Sequence, residues 1–207
     1  MYNSQGSVAA GQLSGFGEES SAVARYAMNR FSAGTTVRYD RLIYPATLSY
    51  MPNYATSVQK GVARLKVQVD YFVRNCPSTK IVLIGYAEGA HVVHLAAAAL
   101  GPNAASHISS VVLMADLIRN VSNTSGTVRF NFGASLGSYG NGSKGRGPAF
   151  TNGLQKGPRV VSFCGRYDGY CNSKNAIAQS STDYRQRVTV TDMGGYLWTR
   201  LYQAGVR

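Results

Sequence analysis

An alanine stands where this chain's sequence pattern asks for a nucleophile. In Lys80-Ile81-Val82-Leu83-Ile84-Gly85-Tyr86-Ala87-Glu88-Gly89-Ala90, Gly85 and Gly89 flank Ala87 with the spacing of G-x-S-x-G. That pattern marks a nucleophile elbow, in which a buried strand turns sharply into a helix and lifts the middle residue toward the substrate. The glycines are expected because strand and helix approach closely there. Ala87 offers only a methyl group, so the layout is that of a hydrolase without its attacking oxygen.

The other reactive side chains are few. The three histidines are His91, His94 and His107, and none follows the 164–171 region. His91 and His94 share a predicted helix face with Glu88 and are expected to give hydrogen bonds, since that helix packs beneath the elbow. One such cluster alone does not make a metal site, and no metal or cofactor is expected. Cys164 and Cys171 bracket a Gly/Tyr-rich segment in which a local disulfide can close, or both can stay as thiols; the disulfide would imply an oxidising compartment. Cys76 has no evident partner.

The elements that must position these residues alternate. A strand end is expected over 1–5, a helix over 18–31, a strand over 36–44, and a long helix over 53–75 with Val58, Val62, Leu65, Val69 and Phe72 on one face. An apolar strand over 81–85, a helix over 88–100 and a strand over 110–115 follow. Residues 120–158, rich in Gly, Ser and Asn, read as a long irregular excursion suited to a binding surface. A strand over 159–164, a weak helix over 172–180 and a final helix over 194–203 complete the chain. Alternating units predict a three-layer α/β/α fold with a mostly parallel sheet, in one domain over residues 1–207.

The 207 residues are 44% hydrophobic and 14% charged, as expected of a compact globule, with a formal net charge of +12. The cations are scattered rather than clustered, as on a solvated basic surface, and such a surface would favour anionic partners such as a surface polymer, a lipid or an acidic protein patch. Nucleic acid is disfavoured because no recognition motif accompanies the charge. No apolar run is long enough to span a membrane. The first residues show no signal peptide, which suits a mature secreted form. The triplets beginning at Asn120, Asn123 and Asn141 fit the N-glycosylation pattern.

The whole chain resembles the cutinase family of serine esterases, an α/β-hydrolase branch. The resemblance rests on Tyr44-Pro45-Ala46, on Cys76-Pro77-Ser78-Thr79-Lys80 leading into the elbow, on Val111 to Asp116, and on Cys164-Gly165-Arg166-Tyr167-Asp168-Gly169-Tyr170-Cys171. It implies that Asp168 is the retained triad acid inside a disulfide loop, and that Ala87 replaces the serine. The base belongs in an H-x-x-Y context before the last helix, where Met193-Gly194-Gly195-Tyr196 is the match, with Met193 in place of histidine. The oxyanion hole maps to the Glu88 N–H and to Ser7, with a glutamate where the family has glutamine. The family's N-terminal cysteine, the usual partner of the Cys76 position, is not among residues 1–75: either the pair was lost or that cysteine lies upstream of residue 1. The resemblance thus implies a catalytically inactive cutinase-like protein, retained for binding or as a structural component, secreted or part of a virus particle. The alternative is an active esterase presented in a Ser-to-Ala form.

Overall fold

The computed structural model describes residues 17–31, 35–121, 127–132, 140–157, 159–165, 168–174, 184, 187–203 and 205. Its elements run α1 (Glu18–Met28), α2 (Tyr54–Asn75), β1 (Ile81–Tyr86), α3 (Glu88–Ala98), α4 (Pro102–His107), β2 (Ile108–Met114), β3 (Thr127–Phe132), β4 (Val160–Gly165) and α5 (Arg187–Gln203). The four strands form one sheet in the order β1-β2-β4-β3, and every pairing is parallel. β2 and β4 lie between neighbours, and every residue in both is buried, which explains their continuous apolar runs.

Two cores hold the layers together. On one face, Val58, Leu65 and Val69 of α2 and Val92, Val93 and Ala96 of α3 pack against Leu83, Val111 and Leu113. On the other face, Val23 and Ala27 of α1 and Met193, Leu197 and Leu201 of α5 pack against Val112, Met114, Val161 and Phe163. The three-layer α/β/α expectation is therefore met.

Three sequence expectations need correction. The stretch over 36–44 is not a strand but irregular chain alongside α2, held by Gln68 Nε2 donating to Arg41 O and by the Arg38 guanidinium over the Phe72 ring. Side-chain contacts there replace a backbone ladder. The 120–158 excursion contains β3, whose alternation of Val128, Phe130 and Phe132 was masked by the surrounding Gly/Ser composition. The last helix begins at Arg187 rather than Gly194, despite the weak helix propensity of Val188-Thr189-Val190-Thr191. The expected strand end over 1–5 lies outside the described residues, as does most of the expected helix over 172–180.

Candidate functional site

The elbow forms as its spacing predicts. β1 ends at Tyr86, Ala87 caps α3, and Ala87 holds φ 50° and ψ −117°, a conformation rare for a residue with a side chain. The Ala87 N–H donates to Met114 O at 2.9 Å, and Ala87 O accepts from His91 N at 3.1 Å. The turn is thus fixed from both sides. A side chain at Gly85 would run into the Gly89 carbonyl and lie 2.6 Å from the Ala90 nitrogen, so Gly85 is compulsory. Gly89 is not constrained in the same way, since a Cβ there would meet only the Tyr44 hydroxyl at 3.9 Å. The backbone at Ala87 has the strained geometry of an elbow, and its side chain ends at a methyl.

Asp168 lies beyond the end of β4 and is buried. The Cys164–Cys171 disulfide closes its loop. Asp168 Oδ1 accepts the Tyr170 N–H at 2.9 Å, and Oδ2 accepts the Tyr184 hydroxyl at 2.6 Å. Tyr184 also accepts from the Gly165 N–H at 3.0 Å. Burial, then the Asp168 charge and hydrogen bond, holds the Tyr184 hydroxyl protonated well above its ordinary pKa. Tyr184 is therefore a fixed donor to the carboxylate where a catalytic acid would orient an imidazole. Sequence reasoning missed this residue; its signal was a tyrosine just ahead of the last helix.

Met193, read as the base position, is expected ahead of the last helix. It lies inside α5, fully buried in the core between helix and sheet, rather than ahead of the last helix. The difference has a physical source: the helix extends seven residues further toward the N-terminus than its β-branched first turns suggested. Ser7, the second oxyanion-hole candidate, lies outside the described residues.

Glu88 is the first residue of α3, and its side chain is 3% exposed. Neither carboxyl oxygen has a well-formed hydrogen bond. Burial pushes its pKa up to about 7, with the Ser57 hydroxyl and the Thr47 N–H offsetting only part of the effect. The histidines on the same helix turn to other partners. His91 Nδ1 meets the Tyr54 hydroxyl at 2.8 Å, and burial followed by the repulsion of His94 and Lys144 pulls its pKa down to about 4 despite Asp116.

His94 is buried between two acceptors. Its Nδ1 lies 2.6 Å from Asp116 Oδ2, its Nε2 lies 3.0 Å from Pro148 O, and its ring stacks on Phe150. Only an imidazolium donates from both nitrogens. Burial would lower the His94 pKa, but the Asp116 charge, the Asp116 hydrogen bond and the Pro148 carbonyl together raise it. A side chain at Gly147 would overlap the His94 ring, so that glycine lets the 140–150 segment close over α3. His94 is thus a structural clamp. Asn120 donates from Nδ2 to Gly147 O, and Asn141 accepts the Val121 N–H through Oδ1, so both carboxamides of the described glycosylation triplets are engaged within the fold.

Comparisons with known proteins agree with this geometry. The family profile described as Cutinase matches residues 2–200. Acetylxylan esterase 2 of Talaromyces purpureogenus is 32% identical over 130 residues, which cover 60% of this chain and 55% of that protein. A cutinase of Hypocrea jecorina is 41% identical over 73 residues, covering 35% of this chain and 28% of that protein. The chain thus spans about half or less of the length of these relatives. Among solved structures, a cutinase-like protein from Cryptococcus sp. superposes with a TM-score of 0.67 at 19% identity, covering 93% of this chain and 90% of that one. The catalytic core of acetyl xylan esterase from Trichoderma reesei does so with a TM-score of 0.65 at 19% identity, covering 89% of each chain. At such identities the superpositions establish the fold.

Proposed function

The chain belongs to the cutinase family, and we propose that it is a catalytically silent member using the scaffold for binding or assembly outside the cell. The observation that carries this reading is Ala87: the strained nucleophile backbone is intact and the side chain has no atom that can attack. The absence of any histidine after Asp168 supports it, since a lone Ser-to-Ala change would leave the base in place. The Cys164–Cys171 disulfide supports an oxidising location. Among the described residues no helix is long and apolar enough to cross a membrane.

The base position is better assigned to Ser181. The run Ser181-Thr182-Asp183-Tyr184 has the H-x-x-Y spacing, falls ahead of α5, and ends in the tyrosine whose hydroxyl meets Asp168. Serine cannot act as the base there.

Hydrolysis of p-nitrophenyl acetate tests the proposal. The native chain and Ala87→Ser should both match a protein-free blank, because a hydroxyl without a base stays a poor nucleophile; loss of either partner costs about a million-fold in a serine hydrolase. Ala87→Ser combined with Ser181→His should give saturable turnover, and Ala87→Ser with Met193→His should not. Saturable turnover by the native chain would end the proposal. Full activity from Ala87→Ser alone would instead identify an esterase in a knocked-out form, with its base elsewhere.

A further inference from the structure

The two sides of α2 differ. At about 100° per residue, Lys60, Ala63, Arg64, Val67, Tyr71 and Arg74 fall within one third of the helix circumference. All six are exposed, whereas Tyr54, Val58, Gly61, Leu65 and Val69 on the other side are buried. Val67 is 62% and Tyr71 52% exposed, unusual values for large hydrophobic residues in the middle of a helix. The 37–41 segment extends this face. It carries exposed Val37 and the Arg38 guanidinium, which lies over the Phe72 ring. The acidic residues bordering the face are Asp70 and Asp40, and Asp40 is paired with Arg38.

We propose that this face of α2 docks on an anionic lipid bilayer. The cations Lys60, Arg64 and Arg74 would suit any polyanion. Val67 and Tyr71 lie between them, and the Val67 side chain has no apolar surface to meet on a fully hydrated polymer. They gain from a surface with charged headgroups above an apolar layer, where tyrosine places its ring inward and its hydroxyl at the boundary. The cations span about 21 Å along a straight helix axis, so they can reach several headgroups at once. The chain's net charge of +12 adds long-range attraction to a negative surface. This inference is independent of whether the elbow is active.

Vesicle co-sedimentation tests it. The protein should pellet with vesicles of phosphatidylcholine and phosphatidylserine in equal parts, stay soluble with pure phosphatidylcholine, and be released by salt. Lys60→Glu/Arg64→Glu/Arg74→Glu should weaken partitioning by roughly 100-fold or more, from about 1 kcal/mol per cation removed. Val67→Ser/Tyr71→Ser should weaken it while leaving the salt dependence unchanged. All five side chains are exposed, so the circular dichroism spectra of both variants should match the native one. Failure to pellet with the mixed vesicles overturns the proposal. So does pelleting that both variants leave intact, or retention on soluble polygalacturonate that Val67→Ser/Tyr71→Ser does not alter, which would assign the face to an acidic polysaccharide.

Discussion

The elbow with its Asp168 loop and the polar face of α3 are opposites. The first has the backbone of a nucleophile elbow: Ala87 holds the strained turn, and the Asp168 carboxylate accepts a tyrosine hydroxyl. The second keeps groups that titrate, namely Glu88, His91 and His94, and uses them to tie α3 to α2 and to the 140–150 segment. Backbone geometry at the elbow is set by Gly85 and by the ladder to β2, so it persists without a serine. Proton chemistry needs particular side chains facing a cleft, and here the side chains that titrate face the interior.

The sharpest way to break this contrast is to remove one member of each acid pair. His94→Leu leaves the Asp116 carboxylate buried without its cation and should cost about 3–5 kcal/mol in urea unfolding. Asp168→Asn keeps an acceptor for the Tyr170 N–H and should cost only about 1–2 kcal/mol. Equal losses would contradict the assignment of the ion pair to the α3 side. The native protein should also weaken in alkali. The folded His94 pKa is raised above the ordinary 6.5, so the clamp's contribution is complete below that value and fades as pH rises through the folded value.

Glu88 and His91 give a smaller effect with a distinctive signature. The Glu88 pKa is raised from 4.5 to about 7, so folding takes up a proton and stability falls as pH rises between those values. The His91 pKa is lowered from 6.5 to about 4, so stability rises with pH between those values. The two slopes cancel over most of their shared window in the native chain. Glu88→Gln should unmask the rise and His91→Gln the fall, each on the order of 2 kcal/mol after solvent screening. Thermal melting from pH 4 to pH 7 reads both; flat profiles in both variants would show that α3 carries no buried titrating pair.

The smallest effect lies at the elbow. Ala87→Gly relieves a positive φ, and should stabilise by about 1 kcal/mol in the same unfolding measurement. Destabilisation would mean that the Ala87 methyl contributes more to the core than its backbone strain costs.

Much of this was legible in the sequence. The elbow, the alternating elements and the Cys164–Cys171 loop follow from local rules: glycine spacing, apolar period and loop closure act on residues close along the chain. That the elbow presents only a methyl group needs no more than the identity of residue 87. Tertiary structure decided the rest. Whether 36–44 joins a sheet depends on which backbone lies beside it, and how far α5 reaches toward its N-terminus is not set by the weak helix propensity of Val188 to Thr191. The placement of Met193 inside α5 follows from that early start. The partners Tyr184 to Asp168, Asp116 to His94 and Tyr54 to His91 are separated by 16, 22 and 37 residues. Such contacts leave no periodic trace, because the fold rather than the chain brings the groups within hydrogen-bonding reach.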